Sequence, residues 1–185
     1  MAHEAGLSQL NGVSKAELLD HRLMERRIAA APVNSLLFGR SAYHALTYGW
    51  LLSGLARAVT GQDMRELFRT ELANPLRTDG IHLGRPPAGA PTRAAEILGP
   101  QRRWPNQIFD FVAPRIAALP FSGAFGSMYF PGVMSLVQGD TPFLDSEIPA
   151  ANGVATARAL ARMYGAIANH GQFRGAEFLS ERTVA

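Results

Sequence analysis

The 185 residues contain no cysteine. That absence removes disulfide frameworks, thiol nucleophiles and cysteine-based metal sites together, while saying little about compartment. Lysine is almost as scarce. Lys15 is the one lysine among 18 basic residues, so a phosphate-binding P-loop, which needs a lysine after its glycines, has none in the right place. A concentrated positive stripe is also lacking. Against a sequence pI near 9.8, the net charge is only +3. The arginines are scattered, with Arg26-Arg27 and Arg102-Arg103 as isolated pairs, whereas phosphate backbones call for clustered Lys and Arg. Nucleic acid is therefore not an expected partner.

Nor is there a long apolar run able to form a spanning helix. The longest uncharged stretch, Ile116 to Gly139, is long enough to cross a bilayer, but Pro120, Pro131 and four glycines interrupt it. It is expected to form buried loop and short strand, and no membrane partner is expected. Met1-Ala2-His3-Glu4 is followed by neither a basic nor an apolar region of the kind a signal peptide carries.

What is present suits an ordinary globular chain, with 47% apolar and 18% charged residues. Ser14-Lys15-Ala16-Glu17 has the form of a capping box and predicts a helix running to about Ala30, before Pro32. A second helix is expected over 41–60, with Ser41 as its N-cap, Tyr43, Leu46, Trp50, Leu55 and Val59 inward, and Gly61 as its stop. Gly49, Ser53 and Gly54 suggest close packing there. A third begins at Asp63, with Met64, Leu67, Phe68 and Leu72 as its apolar stripe, and ends at Asn74-Pro75.

Residues 80–150 hold ten of the twelve prolines and are expected to be mostly ordered loop, with a helical piece over 106–113. Helical spacing returns at Thr156 with Leu160, Met163, Tyr164 and Ile167, closed by Gly171. Leu179-Ser180-Glu181 reads as one more cap. Trp50 and Trp104 are read as core or loop-packing residues. Convincing strands are almost missing, which fits either an α domain or the helical portion of a larger α/β one.

The catalytic motifs can be tested one by one. Five histidines (His3, His21, His44, His82 and His170) include no pair one turn apart on a helix. Asp140, Asp145 and Glu147 do not have the spacing of a calcium loop. Gly39-Arg40-Ser41-Ala42-Tyr43 approaches the G-x-S-x-G elbow, but Tyr43 stands where the strained turn needs a small residue. An S-x-x-K nucleophile places serine and lysine one helical turn apart, so that the amine activates the hydroxyl. Three positions before Lys15 stands Gly12, so this sequence has no S-x-x-K.

Three stretches nevertheless carry a resemblance. His3-Glu4-Ala5-Gly6-Leu7 looks like an H-x-A-G-L segment, Tyr43-His44-Ala45-Leu46-Thr47-Tyr48-Gly49-Trp50 like a tyrosine motif, and 152–161 (Asn152-Gly153-Val154 onward) like a late helix. In order and separation they resemble the serine β-lactamase and penicillin-binding-protein superfamily, specifically its esterase-like members. The resemblance covers nearly the whole chain, and the tyrosine motif is its most specific part.

It implies the α-rich portion of an α/β β-lactamase/transpeptidase-like fold, with 1–185 as an incomplete domain made of the helical part and the 80–150 loop. It also implies Tyr43 as the catalytic residue that relays protons between nucleophile and leaving group. A free phenol titrates near ~10, so such a role needs an adjacent cation, in the family the lysine of S-x-x-K. Where many β-lactamases have Y-x-N, this chain has Ala45, which cannot hydrogen-bond an amide. That favours a small-molecule ester over a lactam as substrate. The strand motif of lysine or histidine, x and glycine is absent, and His170-Gly171 has the wrong spacing. No metal or organic cofactor is implied, and without S-x-x-K the chain alone is expected to be inactive. The rival reading is a non-catalytic α-helical binding or scaffold module.

Overall fold

A computed structural model describes residues 2–10, 12–95, 107–119, 123–130 and 141–184. Its helices are α1 (Lys15–Leu19), α2 (His21–Ala29), α3 (Thr47–Thr60), α4 (Met64–Leu67), α5 (Gln107–Ala117), α6 (Gly123–Met128), α7 (Thr141–Asp145), α8 (Ala157–Ala168) and α9 (Glu181–Val184). A π-helical turn, Phe68–Ala73, follows α4 directly. The strands are β1 (Ile81–Leu83), β2 (Gly153–Ala155), β3 (Gln172–Phe173) and β4 (Ala176–Glu177). The chain divides into two compact units, 1–61 with 96–152, and 62–95 with 153–185.

In the first unit the capping box forms as expected. The Ser14 hydroxyl accepts the Glu17 N–H, and the Glu17 carboxylate accepts the Ser14 N–H at 2.8 Å. The single helix expected to reach Ala30 is instead broken at Asp20, whose extended backbone ends α1 and starts α2. Its carboxylate accepts the Leu23 N–H at 2.9 Å. A short acidic side chain gains more by capping than by continuing a helix, and that local bond overrode the 3.6-residue period. The break lets Leu18, Met24 and Ile28 meet one core with Leu10, Val13, Trp50, Phe130 and Ile148.

Helix α3 starts at Thr47, six residues later than expected. Ser41 is exposed and caps nothing, and Leu46 at the N-cap makes no side-chain bond. The inward face also differs. Thr47, Gly49, Trp50 and Ser53 are buried, whereas Leu55 and Val59 are exposed, Val59 by 78%. Two local demands explain it. The Ser53 hydroxyl donates to the buried Glu25 carboxylate at 3.0 Å, and Arg57 pairs with the same carboxylate, so that face must meet α2. Gly49 lies against Ala150, where a Cβ would sit 2.5 Å from the Ala150 nitrogen. The expected close packing thus holds at Gly49 and Ser53 but not at Gly54, which has open space beside it.

Within 80–150 the described residues are less irregular than expected. Of the stretch read as buried loop and short strand, 116–117 end α5 and 123–128 form α6. Of the expected piece 106–113, residues 107–113 open α5, which continues through Pro114. Trp104 and Asp140 lie outside the described residues. Asn152 organises the end of the stretch. Its amide nitrogen donates to the carbonyls of Phe143 (2.9 Å) and Ser146 (2.6 Å), and its amide oxygen accepts the Ile148 N–H (3.1 Å).

The second unit begins with α4 and the π turn. The expected stripe of Met64, Leu67, Phe68 and Leu72 is half-buried, with Phe68 and Leu72 packed beside Leu76, Ile81, Ala159 and Ala166. Strands β1 and β2 pair antiparallel, Ile81 opposite Ala155. Thr156 caps α8 by accepting the Ala159 N–H, and Ser180 caps α9 by accepting the Thr183 N–H, both where expected. Arg174 and Gly175, both at positive φ, form the two-residue turn joining β3 to β4. On α8 the packed residues are Ala159, Met163 and Ala166; Leu160 and Tyr164 stand exposed.

Candidate active site

Tyr43 lies in the segment before α3 rather than in a first helical turn. The residue is 57% exposed, so it is not the inward aromatic that the helical period implied. What holds it comes from far away in sequence. The stretch 3–7 runs beside 34–44: Ala42 N–H donates to the His3 carbonyl (3.0 Å), Gly39 N–H to Glu4 (3.0 Å) and Asn34 N–H to Gly6 (2.9 Å). Gly6 is required there on two counts. Its φ is +67°, and a Cβ would sit 2.9 Å from the Asn34 carbonyl oxygen.

His44 locks the two stretches together. It is 1% exposed, and its Nε2 accepts the Leu7 N–H at 3.1 Å while Nδ1 faces the Ala42 carbonyl. Those partners assign a neutral ring with the proton on Nδ1, since a carbonyl can only accept and a backbone N–H can only donate. Burial pushes the His44 imidazole below its ordinary value, and nearby His3 adds to this against the opposing Ala42 carbonyl. His44 is therefore a structural residue.

Around the phenol stand other rings. The His3 ring centroid is 5.3 Å from Tyr43, 4.5 Å from Tyr48 and 5.6 Å from His44. Spacing within either stretch alone could not reveal this cluster, because residues 3 and 43 meet only through the backbone pairing. Among the described residues the Tyr43 hydroxyl has no hydrogen-bond partner. Lys15, the one lysine, opens α1 inside the Ser14 capping box.

The remaining candidates do not converge here. His170 follows the end of α8 at φ +53°, and Ala45 is half-buried with a methyl where an amide would be needed. Among the described residues no three acidic or histidine side chains group as a metal site, and no helix is long and apolar enough to cross a membrane. In the second unit a groove of about 510 Å³ beside the π turn and β1 is bordered by Arg65, Arg69 and Arg85. Arg65 donates to the Leu83 carbonyl at 3.0 Å, and Arg69 pairs with Glu66.

The family model described as Beta-lactamase matches residues 1–184. The chain is 64% identical over 184 residues to "Esterase/beta-lactamase LipL" of Mycobacterium tuberculosis, covering 100% of this chain and 42% of that protein. Among solved structures it is similar to a family VIII carboxylesterase (TM-score 0.78, 25% identity, 99% of this chain and 46% of that one). It is also similar to a penicillin-binding-protein homologue from Caulobacter crescentus (TM-score 0.71, 27% identity, 99% and 46%). The helix-rich architecture with short antiparallel strands is the α-rich portion of that fold. The chain spans less than half the length of each of these relatives. With the match running from residue 1 to residue 184, the chain belongs to the Beta-lactamase family.

Proposed function

We propose that this chain is part of a serine hydrolase that cleaves small carboxylic esters through an acyl-serine intermediate, with Tyr43 relaying the proton. The carrying observation is the exposed Tyr43 phenol, held by backbone pairing between the two motif stretches and lying against His3 instead of filling the core. A tyrosine there is useful only where solvent and substrate can reach it, and the residue is more than half exposed.

In the proposed reaction a serine hydroxyl attacks the ester carbonyl as its proton passes to the tyrosine oxygen. The alkoxide then departs, taking that proton as the ester bond breaks. Water repeats the sequence on the acyl-enzyme, releasing the acid and restoring the serine. The serine, and a lysine cation to lower the charge cost of the phenolate, are supplied by S-x-x-K, which this sequence does not contain. The 185-residue chain alone is accordingly inactive. Ala45 supports an ester over a lactam, because its methyl offers nothing to a substrate amide.

A chromogenic short-chain ester tests the reading in two arms. The chain alone gives no turnover above buffer. The same chain within a longer protein that carries S-x-x-K upstream gives turnover that a serine-directed inactivator abolishes. Inactivator-sensitive turnover by the chain alone contradicts the reading, and a longer protein that folds without turning over ester favours a non-catalytic module.

A further inference from the structure

We propose that His3 is a positioning residue for Tyr43, gripping the backbone on both sides of it; this rests on the reading of Tyr43 as the proton relay. The carbonyl of His3 accepts the Ala42 N–H at 3.0 Å, and its ring Nδ1 accepts the His44 N–H at 3.1 Å. Residues 42 and 44 are thus both tied to residue 3. The ring itself lies between Tyr43 (5.3 Å) and Tyr48 (4.5 Å, tilted 34°).

Two features set this apart from incidental packing. First, His3 adopts φ +58°, a left-handed conformation uncommon for a residue with a Cβ, and such conformations persist only where the surroundings hold them. The φ turns carbonyl and ring toward the same segment. Second, an Nδ1 that accepts from a backbone N–H must carry a lone pair, which assigns the ring proton to Nε2. Tyr43 is largely exposed and has no hydroxyl partner among the described residues, so little besides this grip restricts its rotamer. A proton relay needs its oxygen held in one place, because misplacement by about 1 Å is felt strongly in rate.

The substitutions separate grip from bulk. His3→Gly keeps the left-handed backbone available and removes the acceptor. His3→Asn also tolerates positive φ, and its Oδ1, bonded to Cγ as Nδ1 is, can accept the His44 N–H. NMR of the 185-residue chain reads the result without any catalysis. In the native chain the Tyr43 Hα–Hβ couplings report one rotamer. In His3→Gly they average and the His44 amide exchanges about five- to tenfold faster, the range one net hydrogen bond supports. His3→Asn restores both.

Native-like couplings and exchange in His3→Gly overturn the proposal, as does a His3→Asn chain that behaves like His3→Gly. Should His3→Gly not fold, the couplings in His3→Asn decide, staying native or refuting the grip. In the longer protein carrying S-x-x-K, His3→Gly lowers kcat about tenfold with little change in KM, and His3→Asn recovers it. Unchanged kcat in His3→Gly also overturns the proposal. The relay reading fails separately: Tyr43→Phe with full turnover removes it and leaves the NMR outcome as it is.

Discussion

Replacing His44 by alanine probes the joint between the two motif stretches. The ring is buried, with its Nε2 holding the Leu7 N–H and its Nδ1 facing the Ala42 carbonyl. Two net hydrogen bonds contribute about 1 kcal/mol each, and an unpaired buried amide adds about 1–3 kcal/mol if no water reaches it. A loss of about 3–5 kcal/mol follows, a large share of the ~5–15 kcal/mol available to a typical domain. Urea unfolding followed by circular dichroism at pH 7.5 measures it, and a loss under about 1 kcal/mol refutes the assigned role.

The pH dependence has a definite sign. Burial depresses the folded-state pKa of His44, so the folded state favours the neutral ring. The contribution is complete above the ordinary histidine value of about 6.5 and shrinks as pH falls from there toward the depressed value. The stability gap between native chain and variant therefore narrows in acid. A gap that widens below pH 6.5 contradicts the neutral assignment.

Other substitutions follow from the same structure. The Glu25 carboxyl, whose burial alone would raise its pKa, is held below the usual carboxylate range by hydrogen bonds from Arg57 and Ser53 and by the charge of His21. Glu25→Ala breaks that buried network and costs about 3 kcal/mol in urea unfolding, near the lower end for buried pairs because Arg57 can turn to water. Gly49→Ala forces a Cβ toward the Ala150 nitrogen and costs about 1–3 kcal/mol by the same assay; a neutral result contradicts the close approach. The exposed Leu160 and Tyr164 on α8, with Val59 on α3, should bind a hydrophobic dye and favour association on size exclusion. A compact monomer that leaves the dye dark contradicts that.

What was legible in the sequence was mostly local. Ser14 with Glu17, Thr156 and Ser180 mark helix starts because capping is settled within three residues. Asn74-Pro75 marks the end of the π turn, and the tyrosine motif marks the family. Less legible was whatever depended on partners distant in sequence. The period of 41–60 could not show that Glu25 draws Ser53 and Arg57 inward and leaves Leu55 and Val59 outside. It could not show that pairing with residues 3–7 holds Tyr43 outside the helix. The break at Asp20 was readable in principle, since an aspartate three residues before Leu23 is a competent cap, but the longer period outweighed it. Tyr43 itself was found through the resemblance, and its neighbours His3 and Tyr48 only through the backbone pairing.

The central claim is that the Tyr43 oxygen moves a proton in ester cleavage, and Tyr43→Phe in the longer protein carrying S-x-x-K tests it most directly. The change keeps the ring against His3 and removes one oxygen atom. Steady-state kinetics on a chromogenic ester, alongside thermal unfolding, should show unchanged stability, little change in KM and a kcat lowered at least about 100-fold, the lower bound usual for general acid–base groups. A variant that folds normally and keeps near-native kcat would contradict the account and return Tyr43 to the role of an exposed packing aromatic.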